Sequence, residues 1–219
     1  MRLGAALPLL LLAACSKSPE KPAAEPSSVV TPQVAPTPDK PKTLVPADFA
    51  TLKLGAKIDG SDAVSKFVSD GQTLAEVASF VACPEGMTAC DPKTLPAETV
   101  YTYVHRVTPG KSVASATLFR TARPAAGFAN GVGYDDAEAA TALGPDGQID
   151  VEADNGALVW RVIGGDRWKA GEPITLYWQS TLPPAGKADA YLIETDGSVA
   201  IGTGPFPARE KPVEAPAPR

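Results

Sequence analysis

Short runs in which apolar and polar residues alternate constrain the fold of this 219-residue chain more than any other feature. In PITLYWQS (173–180), Ile174, Leu176 and Trp178 fall on one face, and the residues between them fall on the other. This period of two is typical of a half-buried β-strand. The same pattern predicts strands in VYTYVHRV (100–107), SVASATLFRTA (112–122), QIDVEA (148–153), ALVWRVI (157–163) and DAYLIET (189–195).

Turn-forming dipeptides separate these predicted strands. Asn155-Gly156 and Asp196-Gly197 each follow a strand directly, and both pairs tolerate the positive φ angles that close two-residue hairpins. Pro109-Gly110 separates two further strands. Because no long helical repeat supplies crossover connections, the spacing predicts an all-β domain, built as an antiparallel β-sandwich or barrel.

The stretch from Thr99 to Pro207 resembles the immunoglobulin-like or fibronectin-like sandwiches of bacterial envelope proteins. The segments that carry the resemblance are YTYVHRVTPG, GALVWRV, ITLYWQSTLPP and a closing GPFP. The resemblance implies an antiparallel, immunoglobulin-like β-sandwich with a role in binding, spacing or scaffolding. It transfers no site residues to this chain.

Two segments depart from the strand pattern. TLAEVASFVAC (73–83) places Leu74, Val77 and Val81 at helical spacing, and its first four residues match a capping box. The same residues can alternate as a strand, so both alternatives stay open. YDDAEAATAL (134–143) is rich in alanine and predicts a second short helix or a turn.

The first 15 residues have the pattern of an export signal. Arg2 supplies a positive charge, residues 3–12 are apolar, and LAAC (12–15) resembles the lipobox of bacterial lipoproteins. The resemblance implies removal of residues 1–14 and attachment of lipid to Cys15, which would anchor the chain stably in a membrane. Ser16 resembles the residue at this position in Gram-negative lipoproteins of the outer membrane. The ten-residue apolar run would reach only about 15 Å as a helix, too short to cross a bilayer.

A proline-rich stretch separates this signal from the predicted strands. Residues 16–47 contain eight prolines, each of which fixes φ and lacks an amide donor. We therefore expect a solvated, semi-extended tether over 15–47 and a similar tail over 208–219. The folded domain is expected between these segments, over 48–207.

The overall charge and the later cysteines limit the kinds of partner and site. A formal net charge of −5 argues against nucleic acid, whose phosphates require basic surfaces. Cys83 and Cys90 are predicted to form a disulfide, because an exported domain folds in an oxidising compartment. Their spacing and the single histidine do not suit zinc, and a redox pair would favour two intervening residues. No metal or other cofactor is expected.

His105 is the only histidine, so any histidine-dependent catalysis must use it. Its strand neighbours Tyr101 and Tyr103 form an aromatic face that could line a groove. The expectation is a hydrogen-bonded histidine at the surface or at a sheet edge.

An acidic face is the second candidate for chemistry. Asp150, Glu152 and Asp154 alternate onto one face of a predicted strand. A solvated face is expected, since Arg161 stands where a calcium loop would place its bidentate glutamate.

The loop GDRWKAGEP (165–173) is the best candidate contact for a partner. It joins two predicted strands and contains Asp166, Arg167, Trp168 and Lys169. Tryptophan offers flat contact area and arginine offers bidentate hydrogen bonds, as in many recognition loops. The alternative is that Trp168 packs back onto the end of the sandwich.

Together these patterns predict a non-enzymatic lipoprotein of the cell envelope, anchored in the outer membrane through lipid on Cys15. Its domain would bind an envelope protein or glycan, or would serve a purely structural role. The alternative is an envelope hydrolase that uses His105 or the acidic strand face.

Overall fold

Two β-sheets pack face to face in the computed structural model, which describes residues 43–208. The first sheet contains seven strands: β1 (Val45–Asp48), β2 (Leu54–Lys57), β3 (Ala63–Ser69), β4 (Gln72–Pro84), β5 (Tyr101–Pro109), β7 (Phe128–Tyr134) and β11 (Ile174–Ser180). The second contains six: β6 (Ser115–Thr121), β8 (Gln148–Asp154), β9 (Ala157–Gly164), β10 (Trp168–Lys169), β12 (Pro184–Thr195) and β13 (Ser198–Pro207). One helix, α1 (Asp136–Leu143), and a 3₁₀ turn, Phe49–Thr51, complete the described elements.

The strand order confirms the all-β sandwich. The first sheet runs β1-β7-β11-β5-β4-β2, with β3 also paired to β4, and the second runs β13-β12-β6-β9-β8, with β10 paired to β6. Every described pairing is antiparallel except that of β1 with β7, which is parallel. The dipeptides Asn155-Gly156 and Asp196-Gly197 close the β8–β9 and β12–β13 hairpins, as predicted.

The ambiguous segment 73–83 forms a strand. It lies within β4, which pairs with β5 along one edge and with β2 and β3 along the other. Leu74 and Val77 are both buried, and the pairing of β3 with β4 shifts register at Leu74, between Thr73 and Ala75. The irregularity at Leu74 and the apolar Ala78 and Phe80 on the outward face obscure the period of two in the sequence, which explains why a helix was an equal alternative. The alanine-rich segment does form α1, capped by the Asp135 carboxylate, which accepts a hydrogen bond from the Glu138 amide at 2.9 Å.

The start of the folded domain differs from the prediction. Residues 45–47, expected in the tether, belong to β1 and pair with β7. Pro46 is tolerated because this strand lies at the edge of its sheet, where a missing amide donor costs little. The chain then continues across the outer face of the first sheet, where Phe49 packs on Tyr177 at 6.0 Å between ring centroids. The remainder of the predicted tether, and the tail beyond residue 208, lie outside the described residues.

Aromatic side chains from both sheets fill the space between them. Phe119 of β6 stacks on Tyr191 of β12 at 5.7 Å, and Tyr103 of β5 stacks on Trp178 of β11 at 4.5 Å. Trp160 of β9 reaches across the interior, where its indole N–H donates to the carbonyl of Gly133 in β7 at 3.0 Å. Burial of these large side chains is the main contribution to the stability of the domain.

Candidate functional site

His105 lies in the centre of the core and not at a surface or an edge, which corrects the expectation from sequence. It is fully buried on β5, and its ring packs 4.2 Å from Tyr191 and 5.9 Å from Phe119, centroid to centroid. Its inward direction follows from the register, since Tyr101 and Tyr103 on the same face are also core residues. The aromatic face that could have lined a groove is therefore the inner face of the sandwich.

Hydrogen bonds occupy both nitrogens of the His105 ring. The Trp178 indole N–H donates to Nε2 at 3.3 Å, and Nδ1 lies 2.9 Å from Ser79 Oγ. An indole can only donate, so Nε2 holds a lone pair and Nδ1 carries the proton that it donates to Ser79. Burial also lowers the pKa of His105 to about 3. In this tautomer the ring cannot take a proton from Ser79, so the pair lacks the arrangement of an activated serine nucleophile.

The acidic strand face is exposed to solvent and partly neutralised by arginine. Glu152 pairs with Arg161 at 3.3 Å, and Asp154 pairs with Arg120 at 3.3 Å, both on the surface of the second sheet. Asp150 is exposed on the same strand. Within residues 43–208, no cluster of three or more His, Cys, Asp or Glu side chains is arranged to hold a metal ion.

The loop 165–173 separates into a buried tryptophan and exposed charges. Trp168 forms β10 against β6, is 1% exposed, and donates its indole N–H to the carbonyl of Glu172 at 2.8 Å. Of the two alternatives for Trp168, the structure has the one in which the ring packs back onto the sandwich. The alternative of an exposed aromatic contact is wrong, because the ring belongs to the core. Arg167 and Lys169 do reach solvent, where they pair with Asp196 at 3.5 Å and Asp166 at 3.4 Å.

Cys83 and Cys90 form the predicted disulfide, with their Cα atoms 5.8 Å apart. The bridge closes the loop that follows β4, and the loop in turn bonds to β2, where the Ala56 amide donates to the carbonyl of Met87 at 2.8 Å. Cys83 itself is fully buried. The disulfide thus joins the end of the longest strand of the first sheet to the loop beside it.

Breaking this disulfide is expected to lower the free energy of unfolding. The double substitution Cys83→Ser with Cys90→Ser should cost about 2.5 kcal/mol, because an eight-residue loop is no longer closed in the unfolded chain. Urea denaturation of the oxidised protein and of the double variant would measure the difference. Dithiothreitol should destabilise the wild-type protein by a similar amount and leave the variant unchanged; equal sensitivity of the two proteins would contradict the prediction.

A surface cleft lined by residues of both sheets was not foreseen from the sequence. Val64, Ala78 and Arg106 are register partners across β3, β4 and β5, so their side chains share one face. The cleft has a volume of about 380 Å³ and is also lined by Lys57, Asp62, Phe80 and Lys187. The cleft is more open than enclosed, so a ligand would lie against its lining and stay partly exposed to solvent.

Positive charge surrounds this cleft. The Lys57 ammonium lies 4.0 Å from the centroid of the Phe80 ring and 3.3 Å from the Asp62 carboxylate. Arg106 forms an ion pair with Glu138 of α1, and Lys187 has no ion pair within the described part of the chain. By contrast, residues 43–208 carry 12 Lys and Arg side chains and 20 Asp and Glu side chains, a net charge of −8. The cleft is therefore a basic site on an acidic domain.

Comparison with known proteins gave no relative: no family model, no curated protein and no solved structure matches this chain.

The predicted lipidation site, Cys15, lies outside the described residues. Among residues 43–208, no helix is long and apolar enough to cross a bilayer.

Proposed function

We propose that this chain is a lipid-anchored protein of the cell envelope whose folded domain binds a partner and does not catalyse a reaction. The anchor is proposed from LAAC (12–15), with lipid on Cys15 and, from Ser16, residence in the outer membrane. The observation that carries the binding role is the basic cleft around Lys57, Arg106 and Lys187, since it is a concave site whose charge is opposite to that of its domain.

The positions of His105 and of the acidic strand face do not favour the alternative of a hydrolase. His105 is enclosed in the core with both ring nitrogens bonded, so a substrate cannot contact it in this structure. Glu152 and Asp154 pair with Arg161 and Arg120 on the surface of a strand. A pair of catalytic carboxylates would have to flank a cleft that holds the scissile bond.

The course of the chain supports a second, weaker contact surface. β1 runs from Val45 towards the end of the sandwich where β5 ends at Pro109, and β13 runs away from that end to Pro207. The loop with Arg167 lies at this same end, where the Gly171 amide donates to the carbonyl of Pro109 at 2.9 Å. Val45, where β1 begins, therefore lies at the end of the sandwich opposite to this loop, and the exposed cations Arg167 and Lys169 are proposed as a contact for a partner.

Replacement of Cys15 tests the anchor. In cells fractionated into membranes and soluble envelope contents, we expect wild-type protein in the membranes and Cys15→Ser in the soluble fraction, because the variant cannot accept lipid. The matched control is Cys83→Ser with Cys90→Ser, which removes two cysteines and should stay in the membranes. Persistence of Cys15→Ser in the membrane fraction after a high-salt wash would show that lipid on this residue does not anchor the chain.

A further inference from the structure

We propose that the basic cleft binds an anionic amphiphile, a molecule with one phosphate or carboxylate group attached to an apolar body. This inference rests on the proposed binding function and identifies the chemical class of the ligand. Two properties of the cleft carry it: an uncompensated positive charge, and exposed apolar side chains in its lining.

The charge of the cleft is unbalanced because its cations outnumber their partners. Asp62 pairs with Lys57, and Glu138 pairs with Arg106. No carboxylate pairs with Lys187 within the described residues, although this side chain lines the same cleft. One anionic group would therefore neutralise the cleft, and Lys57 can share in its binding because the ion pair with Asp62 is exposed and weak.

The floor of the cleft is apolar. Val64 is 72% exposed, the largest exposure of any large apolar side chain in the described domain, and it stands beside exposed Ala78 and half-buried Phe80. Apolar surface at this position gains free energy when a ligand removes it from water. A free inorganic anion would leave Val64 exposed, whereas the apolar body of an amphiphile would cover it.

The packing of Lys57 on Phe80 links the two halves of the site. The Lys57 ammonium lies over the Phe80 ring, so positive charge and apolar surface meet at this contact in the cleft. The Arg106 guanidinium, which also lines the cleft, is held by Glu138 and lies 3.4 Å from Thr175 Oγ1. A ligand that pairs its anion with the cations of the cleft and lays its carbon chain over Val64 satisfies both properties of the lining.

Calorimetric titration of the full exported chain with Cys15→Ser, which carries no lipid of its own, tests this proposal. The probes are dihexanoyl phosphatidic acid, inorganic phosphate and dihexanoyl phosphatidylcholine below their micelle concentrations. We expect phosphatidic acid to bind at least about tenfold more tightly than either of the other two, because only it combines net negative charge with an apolar body. Amide chemical shifts of Val64 and Phe80 should locate the binding.

Four variants of that chain separate the two contributions. Lys187→Glu should weaken phosphatidic acid binding at least about fivefold, whereas the control Lys111→Glu, an exposed lysine of the β5–β6 loop, should leave it unchanged. Val64→Ser should weaken the same binding about threefold or more, whereas Ile163→Ser, at a 58% exposed position of the second sheet, should not. Both positions are exposed, so the fold is retained.

Asp62→Asn provides a test in the opposite direction. The substitution removes the only anionic side chain that lines the cleft and frees Lys57, so it should tighten phosphatidic acid binding about threefold. A merely structural role of these residues would not produce tighter binding.

The outcomes distinguish this inference from the broader proposal. Phosphate binding as tight as that of phosphatidic acid would overturn the amphiphile but leave the cleft as an anion site. No binding of any probe, or equal loss with Lys187→Glu and Lys111→Glu, would overturn both the amphiphile and the cleft as the binding site. Co-sedimentation with vesicles of phosphatidylglycerol and phosphatidylcholine decides the source: binding that requires Lys187 and Val64 assigns a bilayer lipid, and binding of the soluble probe alone assigns a free molecule.

Discussion

Replacing Trp168 by alanine is expected to lower the free energy of unfolding by about 3–5 kcal/mol, the usual cost of deleting a large buried aromatic side chain. The indole is 1% exposed, and its strand pairs with Ala116 and Ser115 of β6. The substitution also leaves the carbonyl of Glu172 without the indole N–H that it accepts. Urea denaturation monitored by circular dichroism would measure the change.

The neighbouring Arg167 and Lys169 provide matched controls. Both side chains are exposed and form only long surface ion pairs, so alanine at either position should change the free energy of unfolding by less than about 0.5 kcal/mol. A stable Trp168→Ala protein would contradict the burial of the ring. The same reasoning directs experiments on partner contact at this loop to Arg167 and Lys169, because a loss of binding in Trp168→Ala could result from unfolding alone.

The fold was predictable where a strand is buried on one face and ends at a turn. The β8–β9 and β12–β13 hairpins were predicted from alternating strands that end at Asn155-Gly156 and Asp196-Gly197. Strand β4 was not predictable in this way, because Ala78 and Phe80 put apolar residues on its outward face and its register shifts at Leu74. The parallel strand β1 was missed because its residues include Pro46, which normally argues against a ladder and is accepted here at a sheet edge.

The candidate site was less predictable, because it depends on contacts between distant segments. Lys57, Arg106 and Lys187 come from three strands that lie far apart in sequence, and no local motif signals that they line one cleft. The position of His105 was also hidden: both faces of β5 carry buried residues, so the pattern could not show which face points to the core. The disulfide was predictable, because two cysteines in a domain with a predicted export signal have few other uses.

His105 should make the free energy of unfolding of the domain decrease in mild acid. Burial lowers its pKa to about 3 in the folded protein, against about 6.5 in the unfolded chain. Below pH 6.5 the unfolded chain therefore binds a proton that the folded protein excludes, so stability falls as the pH falls and is fully present only above 6.5. The expected loss in free energy of unfolding is about 2 kcal/mol between pH 7 and pH 5.

The side chains that surround His105 offer no compensating charge. The groups that contact it from the other strands are neutral at these pH values: Ser79, Phe119, Trp178 and Tyr191, whose own pKa is raised by burial. An imidazolium would need two acceptors, yet the Trp178 indole N–H points at Nε2 and can only donate. Protonation thus breaks one hydrogen bond and leaves a buried charge, which is the physical origin of the expected loss.

Denaturant titrations at pH 7.5, 6.5, 5.5 and 5.0 would test this dependence with little interference. No other histidine exists in the chain, so no second imidazole titrates in this window. Desolvation and the neighbouring Asp48 and Asp135 raise the pKa of Asp136, which favours the folded state as the pH falls and so acts in the opposite direction.

His105→Gln provides the control. Its amide can accept a hydrogen bond from Trp178 and donate one to Ser79. The variant should be less stable than the wild type at pH 7.5, but its free energy of unfolding should stay constant down to pH 5. An equal slope in the wild type and in His105→Gln would rule out His105 as the source, and a flat wild-type profile would show that its ring is not enclosed as described.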